Sequence, residues 1–231
     1  MTTLLQRGFY LANSIFPEGG TCLEFGVYVG DSYIWQAERI LKKFPKTSLI
    51  GFDSWEGLPD ETEGVWRPDR HNKGCFASAK EKVLSRLNDL NIKESDTRFS
   101  FVDGFFSESL TDQLRKTLKN IIFINIDVDL YKSTIEVLDF VKPILRPGII
   151  IYWDDWKSPK DTYDDSWGEH RAWGDWIARN PEVKTEIIEV NPVNQRTMIV
   201  TQANGINMTG AGLDLCKIRY TANRLTQEIE L

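Results

Sequence analysis

Concentrated positive charge is the first thing this sequence lacks. Its 28 Lys and Arg are outnumbered by 34 Asp and Glu, giving a net charge of −6, and the basic residues form no cluster. Binding a phosphate backbone needs concentrated positive charge, so nucleic acid is excluded as the main partner. Long apolar runs are missing too: none approaches the roughly 18 residues of a membrane-spanning helix. Cysteine is scarce, with Cys22, Cys75 and Cys216 widely spaced and no CxxC pair. That pattern reads as reduced thiols, two of them packed, and neither a disulfide framework nor a zinc site. The N-terminal stretch carries Arg7 inside its apolar part and has no basic start, so no secretory signal is read and a cytoplasmic location is expected. Aromatic residues, in contrast, are plentiful. Eight Trp and twelve Phe in 231 residues supply a core, which excludes disorder and suits one α/β domain.

Strand-like and helix-like patterns alternate along the chain. Apolar strands are predicted at 21–30, 48–55, 98–106, 121–130 and 148–156. The run at 121–130 is nearly continuous, as in a central parallel strand covered on both faces. Between them lie helical patterns. Ile34, Ala37, Leu41 and Phe44 share a face after Asp31 as N-cap. Phe76, Ala79, Val83, Leu87 and Leu90 share another, and Leu110, Leu114 and Leu118 a third. Ser133 and Glu136 read as a capping box, and a further helix is expected over about 168–180. The runs EIIEVN and RTMIVTQ read as an antiparallel pair joined by Pro192–Asn194. Residues 1–20 are expected to form a helical segment or lid, 21–202 the domain, and 203–231 a tail or docking element. Repeated strand–helix alternation means an open, mostly parallel sheet wrapped by helices. Ligands of such sheets lie beyond the carboxyl ends of the strands, where strand order reverses.

The first strand ends Glu24-Phe25-Gly26-Val27-Tyr28-Val29-Gly30. In a dinucleotide fingerprint the second glycine lets the backbone approach a pyrophosphate. Tyr28 occupies that place and blocks the approach, which speaks against a NAD(P)-dependent dehydrogenase. Glu24 instead suits a cationic ligand, such as the ammonium and sulfonium of S-adenosylmethionine (SAM). Asp53, at the end of strand two, can accept the ribose hydroxyls of an adenosine, and Asp103-Gly104 after strand three can contact an adenine edge. Each Asp alone would read as an ordinary loop opener. Three acidic strand ends in order favour an adenosine-containing cofactor.

A second acidic group closes strands four and five: Asp127 and Asp129, then Asp154 and Asp155. Neighbouring strands would bring these carboxylates to one end of the sheet, where they repel unless protons or a cation intervene. All-oxygen ligation without Cys or His at ligand spacing suits Mg²⁺, Mn²⁺ or Ca²⁺. Asp127, Asp154 and Asp155 are the expected ligands.

The segments EFGVYVGDS, FDSWEGLPD, VDGFFSESL, IDVDLYKST, KPILRPG and YWDDW resemble, in this order, the macrocin O-methyltransferase family. Its members are SAM- and metal-dependent sugar O-methyltransferases of macrolide and aminocoumarin biosynthesis. The resemblance covers about residues 20–202 and is most specific at DxDLYxST followed by DD. It implies the class I SAM-dependent methyltransferase fold, Rossmann-like, with six parallel strands and one antiparallel. SAM is then expected over Glu24–Gly30, among Gly26, Val27, Tyr28, Asp31 and Ser32. Its ribose would sit on Asp53 beside Ser54, its adenine near Asp103 and Gly104, and Asp127 would face it. The resemblance also implies Mg²⁺ on Asp127, Asp154 and Asp155, and a proton acceptor that is either Asp129 or His71. A sugar or glycoside acceptor and a homo-oligomeric state are expected.

Trp153, Trp156, Trp167, Trp173 and Trp176 crowd one region, where aromatic faces line many small-molecule pockets. Trp173 and Trp176, at i and i+3, read equally as the buried face of a helix. His71 lies in a charged loop, where histidine is ordinarily solvated, and His170 is expected near the acceptor entrance. Two other readings compete. A catechol-type O-methyltransferase carries a lysine three residues after its first metal Asp, where this chain has Leu130. A non-catalytic SAM-binding protein would have no need of all the acidic positions.

Overall fold

The alternation in sequence becomes alternation in space in the computed structural model, which describes residues 3–61, 71–156, 168–190 and 195–228. In chain order, the elements begin with α1 (Leu4–Ile15), β1 (Thr21–Phe25), α2 (Asp31–Lys43), β2 (Ser48–Asp53), α3 (Lys80–Asp89) and β3 (Phe99–Asp103). They continue with α4 (Phe106–Ser109), α5 (Asp112–Thr117), β4 (Ile121–Ile126), α6 (Tyr131–Val141) and β5 (Ile150–Trp153). The last are α7 (Gly168–Arg179), β6 (Lys184–Val190), β7 (Arg196–Ala203), the two-residue β8 (Ile206–Asn207) and α8 (Leu215–Glu228). One sheet runs β3-β2-β1-β4-β5-β7-β6, with β8 added to β7. β7 is antiparallel to both β5 and β6, and the pairs from β3 through β5 are parallel. The main sheet thus has the seven strands expected, and β8 is an addition.

Helices cover both faces. Phe9, Tyr33, Ile40 and Val83 from α1, α2 and α3 pack with Phe123 and Ile150 on one side. Val137, Phe140 and Trp176 from α6 and α7 pack with Phe25, Ile124 and Trp153 on the other. Every residue of β4 is buried, as a central parallel strand requires. Strand order reverses between β1 and β4, so the crevice forms where their carboxyl ends part. The helix of the 1–20 segment lies against β4, β5 and β7, capped by a reciprocal Thr3–Gln6 box. The 203–231 segment lays α8 on α1, where Ile218 and Met208 are buried. Among the described residues no helix is long and apolar enough to cross a membrane.

Several local expectations are corrected. Asp31 is the first residue of α2, and its N-cap is the left-handed Gly30. The most deeply buried side chains of α2 are Tyr33, Gln36, Ala37 and Ile40, with Ile34, Leu41 and Phe44 packed at the flanks. Phe76 and Ala79 precede α3, because the chain turns through a positive φ at Phe76. The Leu110–Leu118 pattern is divided between α4 and α5, each too short to carry it whole. The Ser133–Glu136 box does not form: α6 begins earlier, at Tyr131, after a left-handed Asp129. A residue distant in sequence caps it instead, the Lys132 N–H donating to Glu61 Oε1 at 2.7 Å. β6 and β7 pair antiparallel as expected, while Pro192–Asn194 lies outside the described residues. Of the three free thiols, Cys22 is buried, Cys75 half-buried and Cys216 exposed.

Candidate active site

The carboxyl ends of β1, β2, β3, β4 and β5 open onto a cavity of about 500 Å³. Its floor begins at Gly26, whose φ of 84° belongs to the left-handed region. A β-carbon there would stand 1.8 Å from the Asp127 carbonyl oxygen, so only glycine lets β1 and β4 meet at this point. The turn that follows is held by Asp53. Its Oδ2 accepts the Val27 and Tyr28 N–H groups at 2.7 and 2.9 Å, and its Oδ1 accepts the Trp55 N–H at 2.7 Å. Gly26, Tyr28, Asp53, Ser54 and Gly104 all line the cavity.

Other residues proposed for the cofactor lie elsewhere. Glu24 is fully buried, accepting from Ser32 Oγ at 2.6 Å and from Gln36 Nε2. Burial raises its pKa to about 8, against the hydrogen bonds that favour its charge. Ser32 therefore faces Glu24, and the Val27 side chain is buried. Asp31 pairs with Arg86 at 2.7 Å on the surface. Asp103 is engaged by Lys80 at 2.7 Å and by Trp55 Nε1 at 2.8 Å, and these donors hold its pKa below the ordinary value despite partial burial. The side chains of Glu24, Val27, Asp31, Ser32 and Asp103 are thus turned to helix, core or surface partners, because each finds its hydrogen-bonding or packing partner there.

The second acidic group does converge. Asp127, Asp154 and Asp155 each offer an oxygen within 4.8 Å of the others, and all three line the cavity with Asp129. Burial first, and then mutual repulsion, raises the pKa of Asp127 and Asp155 well above the ordinary carboxylate range. Asp154 is raised by burial too, opposed by hydrogen bonds from the Tyr152 hydroxyl and Gln195 Nε2. Among the described residues no Lys or Arg forms an ion pair with any of the three. A compact, half-buried, all-oxygen set without a cationic partner fits a divalent ion such as Mg²⁺. Beside it, His71 Nε2 lies 3.3 Å from Asp129 Oδ1. His71 is 7% exposed, so the ordinary solvated state of a loop histidine does not apply.

The aromatic residues are redistributed. Trp153, Trp156, Trp173 and Trp176 are buried in the core beneath α7, and Trp167 lies outside the described residues. Trp153 and Trp156 are therefore not a pocket wall: they stack edge-on at 5.1 Å within the core. His170 packs on Trp156 at 4.8 Å and does not line the cavity. The rim is formed instead by Tyr28 and Phe76, both 43% exposed and in edge contact at 5.7 Å. Phe105 and Phe106 line the inner wall. Sequence reasoning did not assign Asp60, Glu61 and Glu136, which line the cavity, or Glu169 to the site. Glu61 also caps α6, and Glu169 is fully buried behind the acidic group. Neither carries a local signal, since both lie in polar stretches and gain meaning only from residues distant in sequence.

A family model described as a methyltransferase domain matches residues 23–156. The chain is 29% identical over 157 residues to the 8-demethyl-8-(2,3-dimethoxy-α-L-rhamnosyl)-tetracenomycin-C 4′-O-methyltransferase of Streptomyces olivaceus. That match takes in 64% of this chain and spans 58% of the relative's length. Among solved structures, the O-methyltransferase NovP superposes with a TM-score of 0.67 at 18% identity, over 87% of this chain and 79% of the other. CalS11, a calicheamicin methyltransferase, gives 0.66 at 22%, over 84% and 77%. At such identities the two likenesses carry the fold.

Proposed function

Since the chain belongs to the methyltransferase-domain family and has its class I fold, we propose that it transfers the methyl group of SAM to a hydroxyl of a sugar or sugar-bearing small molecule, assisted by a divalent cation. The observation that carries this reading is a single cavity shared by the Asp53-held glycine turn, the Asp127–Asp154–Asp155 group and the His71–Asp129 pair. The rhamnosyl O-methylation named for the Streptomyces olivaceus relative supports a sugar acceptor.

Each part of the cavity has a task in the reaction. Asp53 presents a carboxylate to the ribose of SAM; its Oδ1 holds one backbone N–H and keeps a lone pair for a hydroxyl. The same negative charge disfavours a pyrophosphate. Gly26 admits the cofactor close to the strand end, and Phe105 and Phe106 exclude water beside it. Asp127, Asp154 and Asp155 would hold the cation, which supplies chelation of two neighbouring hydroxyls and a lowered pKa for the one that reacts. SAM would supply the methyl group from its sulfonium and leave as a neutral thioether, its carbon–sulfur bond exchanged for the new carbon–oxygen bond. The hydroxyl proton passes to the His71–Asp129 pair, which shares it between Nε2 and Oδ1. Holding oxygen, carbon and sulfur collinear supplies much of the rate. Tyr28 and Phe76 offer apolar faces to the ring of the acceptor.

A phenolic diol would satisfy the same cation, and the aromatic rim suits it. Leu130, where catechol-type enzymes carry lysine, is buried and offers no charge to a phenolate, so the sugar is preferred. Calorimetric titration with SAM, followed by transfer of labelled methyl to a panel of vicinal-diol sugars and catechols, tests the reading. Labelled sugar is the expected product. Exclusive labelling of catechols would replace the acceptor, and a protein that binds no SAM would overturn the reading as a whole.

A further inference from the structure

We propose that Glu169 is a positioning residue: it sets the gap between the ends of β4 and β5, and thereby the size of the cation that Asp127, Asp154 and Asp155 accept. This rests on the cation reading above. The parallel ladder between the two strands runs to the Ile126–Trp153 rung, and a last backbone bond joins the Asp154 N–H to the Ile126 carbonyl at 3.1 Å. Beyond it the ladder ends, and two further N–H groups take a side chain as their acceptor. Glu169, in the first turn of α7, receives both: Val128 N–H on Oε1 at 3.1 Å and Asp155 N–H on Oε2 at 3.3 Å. One carboxylate therefore replaces the next rung of the sheet. Val128 stands between Asp127 and Asp129, so the bridge fixes both acidic strand ends at once.

The placement is costly, which argues that it serves a purpose. Glu169 has no solvent exposure and lies near other carboxylates, and a carboxyl buried among its like is ordinarily avoided. A neutral amide cannot replace it, because glutamine offers one acceptor and would turn its NH₂ toward the second N–H. Aspartate keeps the carboxyl but is one methylene too short to span both donors. Mg²⁺ demands oxygens at about 2.0–2.1 Å in near-octahedral geometry, whereas Ca²⁺ accepts about 2.3–2.6 Å and looser arrangements. A gap released by loss of the bridge should therefore penalise Mg²⁺ selectively.

The test is calorimetric titration of Mg²⁺ and of Ca²⁺ into the full chain and its Glu169→Gln and Glu169→Asp variants, each checked for a cooperative thermal transition. Both variants are expected to bind Mg²⁺ about tenfold or more weakly, in the range found for outer-shell partners of metal ligands, with Ca²⁺ changed less than about threefold. Equal weakening of both ions, or normal Mg²⁺ binding by Glu169→Asp, would show that the two-point bridge does not set the gap and overturn the inference. Failure of both variants to unfold cooperatively would make its role merely structural and also overturn it. Unchanged binding in both variants overturns the positioning role alone, whereas absence of any ion binding by the unsubstituted protein overturns the cation reading and this inference with it.

Discussion

Replacing Glu24 with glutamine should make the protein progressively more stable than its parent as pH rises. Glu24 lies in the middle of the sheet with no solvent exposure, and burial lifts its pKa from the ordinary 4.5 to about 8. Between those values the folded chain keeps a proton that the unfolded chain has released. The sign follows directly: a carboxyl whose folded pKa is raised adds stability at low pH, and that stability is lost as pH climbs from 4.5 to 8. The loss is about 1.4 kcal/mol per pH unit while the folded state holds the proton, hence about 2 kcal/mol between pH 6 and 8. The hydrogen bonds from Ser32, Asn125 and Gln36 favour the charged form, and burial outweighs them. Glutamine preserves the shape and removes the titration. Urea unfolding of the parent and of Glu24→Gln at pH 6, 7 and 8 should give curves that diverge by about 2 kcal/mol in favour of the variant. Parallel dependence on pH would refute the assignment of a protonated Glu24 in the folded state.

Three further outcomes follow from the site. Gly26→Ala forces a β-carbon against the Asp127 carbonyl at a left-handed φ, and should abolish both folding yield and SAM binding; a soluble variant with parental SAM affinity in calorimetry would contradict the packing argument. Asp53→Asn replaces an acceptor of three backbone N–H groups with one that also carries a donor, and should weaken SAM at least about tenfold, since charge-assisted bonds contribute about 1.5–3 kcal/mol each; calorimetric affinity within twofold of the parent would refute it. His71→Ala and Asp129→Asn should each lower kcat by about a hundredfold or more with little change in SAM affinity, and full turnover by either variant would remove that residue from proton transfer.

The sheet was legible because its signals are local. β4 is buried at every residue and reads as an apolar run interrupted only by Asn125, and acidic residues punctuate the ends of β1 to β5. The acidic group on β4 and β5 was legible for the same reason: the pairing of adjacent strands is enough to bring Asp127 and Asp154 to one end of the sheet. What sequence could not supply were relations between distant segments. The cap of α6 comes from Glu61, so the local Ser133–Glu136 pattern misplaced its start. Glu169 looks like any helix-opening glutamate until the end of the β4–β5 ladder leaves two N–H groups for it to accept. Tryptophan misled in the opposite way, because clustering in sequence reports proximity but not which side of the sheet end is filled. Trp153 and Trp156 pack under α7, and the cavity takes its exposed aromatic rings from Tyr28 and Phe76, separated in sequence by α2, β2 and the loop that follows.

The central claim is that half-buried carboxylates at the ends of β4 and β5 hold a divalent cation for methyl transfer from SAM to a sugar hydroxyl. Its most direct test measures labelled-methyl transfer to a vicinal-diol sugar before and after EDTA treatment, with Mg²⁺ then restored. The account predicts that EDTA removes transfer and that Mg²⁺ returns it, while Asp154→Asn and Asp155→Asn stay inactive at the same Mg²⁺ concentration. Transfer undiminished by EDTA, or full activity in those variants, would contradict it.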